Sequence, residues 1–276
     1  MGITIIWDIT KKCNLKCIHC FNADRYTSPF YNTGRELSTQ QAKLAIDKFK
    51  NGGVRHLHLL GGEPLLREDI VEIIKYAKEN NFIISINTNG ILLNEHLSKE
   101  LLKLKVEQIV VSIDGATQPV NDGIRGRGTY HKIIKNIKNL QKLNKESGKI
   151  MNVGLAFTLL KQNLHEVPLI LDLAAFLEVD VIDIMELYVS GRAFERQNEF
   201  RYTQKERIEV LEKVAEKIRK NNYNFLIQMD MPLSLVKYLN WRYSINIFFI
   251  REIWGVKLVK RCGICRQMDE YYLAGW

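Results

Sequence analysis

Short apolar runs rich in Val and Ile alternate along this chain with longer stretches whose apolar positions recur at helical spacing. ITIIWDI (3–9), VRHLHLL (54–60), FIISIN (82–87), EQIVVSI (107–113), NVGLAFTL (152–159) and VDVIDIMEL (179–187) read as strands, since β-branched side chains suit a packed, pleated surface. Amphipathic helices are predicted between them, near 38–51, 67–80, 94–105, 129–146 and 165–177. Ser38 with Gln41 three residues later forms a capping-box signature, and Pro168 falls in the first turns of the last helix. Strand and helix in regular alternation predict βα units and an α/β fold with a mainly parallel sheet. Right-handed crossovers curl such a sheet one way, with helices outside and every strand's C-terminal end on one side. In barrel-like sheets, chemistry collects at that rim.

Beyond residue 200 the pattern changes. A helix rich in Lys and Glu near 203–221 leads to NFLIQM (224–229), then to a segment carrying Tyr238, Trp241, Tyr243, Phe248, Phe249 and Trp254. These aromatics are read as core packing rather than a substrate platform. The predicted division is a core over 1–200 and a C-terminal extension over 201–276.

Composition narrows the class. Of 276 residues, 46% are hydrophobic and 26% charged, the balance of a soluble globular protein. No run approaches the roughly 18 apolar residues of a membrane helix; Ile245 to Ile250 is short, with Arg242 and Arg251 nearby. The first 20 residues lack a signal peptide's order, and Met1-Gly2 is followed by Ile6 where a myristoylation site needs Ser or Thr. A cytoplasmic protein is expected. Five cysteines in that setting point to metal binding or catalysis rather than a disulfide framework. The net charge of +9 comes largely from lysine-rich helices such as Lys132 to Lys145, which read as solvated faces, so a nucleic-acid partner is not expected.

Four unusual loops follow the strands. KKCNLKCIHC, with Cys13, Cys17 and Cys20, follows the first; GGEP (61–64) the second; NTNG (87–90) the third; SIDG (112–115) closes the fourth. Three soft thiolates within eight positions select zinc, copper(I) or an iron–sulfur cluster. Structural zinc takes four protein ligands, and the fourth here would be His19, pinned between two others, or a distant residue such as His56. A [4Fe–4S] cube accepts three cysteines if its last iron binds something else.

On these motifs the chain resembles the radical S-adenosylmethionine (radical SAM) superfamily, whose signature is CxxxCxxC after the first strand of a partial (β/α)6 barrel. The resemblance covers residues 3–200 and implies a [4Fe–4S] cluster on Cys13, Cys17 and Cys20. In that family the open iron chelates S-adenosylmethionine (SAM), and one electron cleaves it to methionine and a 5′-deoxyadenosyl radical that takes hydrogen from the substrate. The resemblance places His19 near the adenine and Gly61, Gly62 and Glu63 at the SAM amino group, with Pro64 shaping the turn. Glu63 is expected to offer its carboxylate to that ammonium. Thr88 and Asn89 fall beside the methionyl part, and Ser112 and Asp114 face the ribose and carboxylate. Arg125, in IRGRGTY, is expected to pair with the SAM carboxylate. Asn163, Leu187 (through its backbone) and Gly191-Arg192-Ala193 match weaker family positions.

Many similar proteins continue into SPASM or twitch extensions holding auxiliary iron–sulfur clusters. Cys262 followed by Gly275 fits the opening of a SPASM pattern; the chain ends at Trp276, and Cys265 falls inside the first interval. Two thiolates cannot fill a [4Fe–4S] site unaided. The leading expectation is a truncated or degenerate SPASM-like region, with Cys262 and Cys265 as auxiliary-cluster candidates; the alternatives are a substrate-site thiol or ordinary buried cysteines. The expected function is hydrogen abstraction from a peptide or protein, with electrons from a flavodoxin or ferredoxin. The second reading is a small-molecule substrate such as a tetrapyrrole, and readings outside it are a zinc-stabilised basic nucleic-acid-binding module or a non-catalytic remnant. Because the chain opens almost at its first strand, no N-terminal leader-binding domain is expected.

Overall fold

The capping box at the first helix forms as its spacing predicts. The Ser38 hydroxyl accepts from the Gln41 N–H, and the Gln41 side chain accepts from the Ser38 N–H at 2.9 Å. This satisfies two of the donors a helix start leaves orphaned. Thr203 and Glu206 build a second capping box that the sequence reading did not single out. The computed structural model describes residues 3–23, 36–221 and 223–229, with the backbone of 248–253 and 256–261.

Over that span the elements run β1 (Ile3–Thr10), α1 (Thr39–Asn51), β2 (Val54–Gly61), α2 (Ile70–Glu79), β3 (Ile83–Thr88), α3 (Glu95–Lys103), β4 (Gln108–Ser112) and α4 (Gln118–Arg125). They continue as α5 (Thr129–Glu146), β5 (Asn152–Leu159), α6 (Val167–Phe176), β6 (Val181–Glu186), α7 (Arg192–Glu195), α8 (Gln197–Phe200), α9 (Gln204–Lys220) and β7 (Leu226–Met229). All six predicted strands and all six predicted helices, the one near 203–221 included, are present; α4, which follows SIDG, and the short α7 and α8 are additions.

Strands β1 to β7 pair in sequence order and in parallel. Two further strands, β8 (Phe248–Ile253) and β9 (Val256–Arg261), extend the sheet, the last one antiparallel. The register aligns Leu57 with Ile84, Ile86 with Ile109, and Leu155 with Ile182. These side chains are buried in one core with helix residues such as Ile46, Ile73, Ile137 and Ile170. Alternate positions, His56, His58, Ser85, Asn87, Ser112 and Asp183 among them, occupy the other face, because side chains alternate along a strand. One face of the sheet is therefore an apolar seat for helices, and the other is largely polar.

The polar face is concave. In a flat sheet, five spacings of about 4.8 Å would hold β1 roughly 24 Å from β6. Yet Arg192, six residues beyond β6, donates at 2.7 Å to the Cys17 carbonyl in the loop after β1. The sheet curls to bring these ends together. Across the division expected near residue 200, β7 pairs with β6, and α9 lies on α6, where Lys217 and Tyr223 both reach Asp172. The βα alternation runs through residue 200 as a seventh unit. Among the described residues, no helix is long and apolar enough to cross a membrane.

Buried polar groups close the turns between units. Asn144, fully buried in α5, donates to the Met151 carbonyl at 2.7 Å and accepts from the Met151 N–H at 3.1 Å. Replacing Asn144 with Ala leaves both backbone groups unpaired in the interior. It is expected to cost about 2 kcal/mol, read as a lower urea midpoint with an unchanged slope.

Candidate active site

The cysteine loop is held chiefly by its own main chain. Gly62 N–H donates to Thr10 O at 2.8 Å, Glu63 N–H to Lys12 O at 2.7 Å, and Ile18 N–H to Ile124 O at 3.0 Å. From the β6 side, Arg192 donates its backbone N–H to Cys20 O at 3.0 Å as well as its guanidinium to Cys17 O. The two glycines of GGEP are required by this contact. A Cβ at Gly61 would lie 2.3 Å from Thr10 O, and one at Gly62 would lie 2.1 Å from Lys12 O. The close approach they permit in this structure is to the chain's own cysteine loop.

The three thiols are free, Cys13 exposed and the others half-buried, and close enough to feel one another's charge. Burial pushes the Cys17 thiol up to about 11, against the pull of Arg125, and burial also raises Cys13. Without metal these groups are thiols at neutral pH, so loading a metal centre releases protons. Leu15 N–H lies 3.5 Å from the Cys13 sulfur, and Asn89 Nδ2 lies 4.0 Å from it. Among the described residues, no three Cys, His, Asp or Glu side chains converge as a lone ion requires. Three thiols on one loop, with Leu15 N–H and Asn89 Nδ2 near Cys13, are the donor type that an iron–sulfur cluster takes. Cys262 and Cys265 lie outside the described residues.

Glu63 is engaged within the protein as well as standing where the amino group of SAM is expected. It is 1% exposed, and its oxygens accept from Leu65 N–H at 3.1 Å, Thr88 Oγ1 at 2.6 Å and Asn89 N–H at 2.7 Å. Its carboxylate ties the β2 rim to the β3 rim, and Asn89 passes that tie on by donating to Asn14 Oδ1 at 2.8 Å. Pro64 is buried and opens a 3-10 turn over Pro64–Leu66. Arg125 also has an internal partner. Its Nε lies 2.6 Å from Oδ2 of Asp114, which is fully buried and also 3.2 Å from His19 Nε2. The arginine contact is poorly aligned as a hydrogen bond, so charge dominates it. Burial pushes His19 down, which keeps the ring neutral. Asp114 Oδ1 accepts from Thr158 N–H at 2.8 Å, and Asn163 donates to Asp114 O and Thr158 O, making Asn163 a clamp between β4 and β5. Ser112 is half-buried at the end of β4, and Leu187 packs on the small cluster of Ile124, Leu160 and Phe200.

Several residues at this rim carry no motif. Glu36 accepts from Lys11 N–H at 2.7 Å and Thr10 Oγ1 at 2.8 Å, and Asn22 donates to Gly61 O at 3.1 Å. Arg67 donates to Ile9 O at 3.0 Å and pairs with Asp69. Phe21 and Tyr188 meet edge to face at 5.9 Å and, with Val189 and Phe194, are exposed beside the third cysteine.

Comparison with known proteins agrees with this geometry. The family model described as the radical SAM superfamily matches residues 7–174. Fe-coproporphyrin III synthase of Methanosarcina barkeri is 35% identical over 196 residues, covering 71% of this chain and 46% of that protein. Mycofactocin maturase MftC of Mycolicibacterium smegmatis is 32% identical over 148 residues, covering 54% and 36%. The chain thus spans less than half the length of these relatives. Among solved structures, SuiB of Streptococcus suis bound to S-adenosylmethionine has a TM-score of 0.65 at 20% identity, over 85% of this chain and 52% of that one. The fold is shared.

Two outcomes test the rim. Asp114→Asn or Arg125→Met alone strands one buried charge and is expected to cost about 3–5 kcal/mol, whereas the double variant should cost less than the sum in urea unfolding of the metal-free chain. For Glu63, burial raises the native carboxyl above its unfolded value of about 4.3, despite its three donors. Its contribution is then fully present below the unfolded value and lost as pH climbs through the native one. Glu63→Gln should flatten the weakly acidic part of the stability–pH profile.

Proposed function

We propose that this chain, which belongs to the radical SAM superfamily, abstracts hydrogen from a peptide or protein substrate during its maturation. Cys13, Cys17 and Cys20 would hold a [4Fe–4S] cluster, and the rim loops would hold SAM. Such a cluster, when loaded, supplies the electron that splits SAM and yields the 5′-deoxyadenosyl radical. This chain's own residues fix the geometry. Gly61 and Gly62 let the second rim loop abut the first, Glu63 ties it to Thr88 and Asn89, and Arg192 anchors the carbonyls of Cys17 and Cys20. Asp114 and Arg125 form a buried ion pair against the cysteine loop, with the neutral His19 ring beside it, so Glu63 and Arg125 would position the rim as well as face SAM.

The observation that carries the peptide reading is the exposed apolar lip of Phe21, Tyr188, Val189 and Phe194 beside the third cysteine. Exposed apolar groups next to a reactive centre suit a large, partly apolar substrate. The resemblance to MftC supports it, as does the SuiB structure, also solved with its precursor peptide SuiA. A tetrapyrrole is the second reading, favoured by the higher identity and longer match to Fe-coproporphyrin III synthase. We place the enzyme in the cytoplasm, with a flavodoxin or ferredoxin as reductant.

Anaerobic reconstitution should give a brown protein that forms 5′-deoxyadenosine from SAM after dithionite reduction. Replacing Cys13, Cys17 or Cys20 with Ala should abolish that product; a colourless wild type making none would overturn the reading. Iron remaining in the triple variant would indicate a second cluster, with Cys262 and Cys265 its first candidates. Mass spectrometry after incubation with a short peptide encoded beside the gene, or with iron-coproporphyrin, then decides between the substrates.

A further inference from the structure

Behind the apolar lip, a cavity of about 250 Å³ opens between the end of β6 and the start of α9. Leu187, Val189 and Phe200 line it with apolar groups, and Glu186, Tyr202 and Arg207 with polar ones. The polar lining is braced from within: Glu186 Oε1 lies 2.6 Å from Arg207 Nη2, and Glu186 Oε2 accepts from the Tyr202 hydroxyl. Glu186 alternates with the core residues Ile182 and Ile184, so it belongs to the helix side of its strand. The cavity therefore stands outside the barrel, and none of the four motif loops lines it. Val189 belongs both to the cavity and to the lip of Phe21, Tyr188 and Phe194.

Arg201 brings to this cavity a charge that is not balanced inside the protein. It lines the cavity, is exposed, and donates from Nη2 to Gln197 Oε1 at 2.7 Å. The carboxylates around it are engaged elsewhere, Glu199 with Arg196, Glu206 with Thr203 and Glu186 with Arg207. Among the described residues, no carboxylate pairs with Arg201. A guanidinium presents five N–H donors in a rigid fork, so Arg201 keeps donors for a two-pronged contact with a carboxylate. With two arginines against one glutamate in the lining, an anion is favoured over a cation. The volume sets the scale of the occupant. It falls below the roughly 300–1,000 Å³ of sites that enclose a whole ligand, so the cavity takes one arm of a larger molecule.

We propose that this cavity is a recognition pocket for a carboxylate-bearing arm of the substrate, with Arg201 as the group that selects it. The inference rests on the reading that substrate lies on the lip, and it names what that substrate carries beside its apolar part. Leu187, Val189 and Phe200 receive the hydrocarbon portion of the arm, and Arg201 meets the carboxylate at its tip. This chemistry has two sources, the acidic side chain of a peptide or the propionate of a tetrapyrrole. Because the pocket lies behind the lip, the contact is made away from the reacting carbon. It orients the substrate without joining in bond breaking, and such orientation lowers the barrier to hydrogen transfer.

The test is ligand-observed NMR of the anaerobically reconstituted chain with three probes of one shape: 3-phenylpropionate, 3-phenylpropanamide and 3-phenylpropylamine. The carboxylate should bind about threefold more tightly than the amide, the scale of an exposed ion pair, and the amine most weakly. Arg201→Gln should remove that preference, and Arg201→Lys, which keeps the charge, should retain part of it. Val189→Trp, which puts a larger side chain where the cavity meets the lip, should block the carboxylate probe. Equal binding of carboxylate and amide, a preference untouched by Arg201→Gln, or undiminished binding in Val189→Trp would overturn the pocket. The peptide acetyl-Phe-Ala-Glu-Ala-amide and metal-free coproporphyrin III then compete with the carboxylate probe. Displacement by the peptide alone identifies an acidic side chain as the source, displacement by the porphyrin alone a propionate, and displacement by neither refutes a role in substrate recognition. Binding is read without turnover, so absence of 5′-deoxyadenosine in the wild type would count against the enzyme reading alone.

Discussion

The rim depends on how the carbonyl groups of one short loop are held. Thr10 O, Lys12 O, Cys17 O and Cys20 O each accept a hydrogen bond from a different part of the chain, two from GGEP and two from Arg192. Ile18 packs the loop on the small cluster of Ile124, Leu160 and Phe200, and directed hydrogen bonds fix its carbonyls. Because the donors sit on β2 and beyond β6, the curl of the sheet and the position of the sulfurs are one property.

Charge is arranged around that loop with the same economy. Asp114 lies beneath it, fully buried, with Arg125 and His19 both drawn to a single oxygen. Glu63 lies on the other side, with three donors on its two oxygens. Buried carboxylates without such partners would protonate or destabilise the fold. With them, Asp114 and Glu63 join neighbouring rim loops.

Much of this was legible in the sequence. The strand–helix alternation located six strands because each is a short run in which apolar residues recur at about every second position, as a sheet backed by helices on one face requires. The rim loops stood out through Cys13, Cys17, Cys20 and GGEP, residues chosen for chemistry rather than packing. The partners were not legible. Nothing in the spacing of Glu63 says that its oxygens meet Thr88 and Asn89, and nothing near Arg125 says that Asp114 claims it. Glu36 was silent, and Arg192 was noticed without its partner, for the same reason: their tasks are set by contacts across 25 and 175 positions. The alternation also hid the seventh unit, since β7 is only four residues long and follows a helix that looked like the start of something new.

The long reach of Arg192 bears on the order of events during synthesis. The cysteine loop leaves the ribosome early, but the residue that clamps it follows 175 positions later. At about 5–20 residues per second, that is a delay of about 10–35 s. Contacts so distant in sequence also form late, because the intervening chain must first be ordered. The thiols thus emerge well before the pocket that orients them can exist. Through that interval the three thiols are exposed to solvent and oxidants without the contacts that hold their carbonyls in the folded chain.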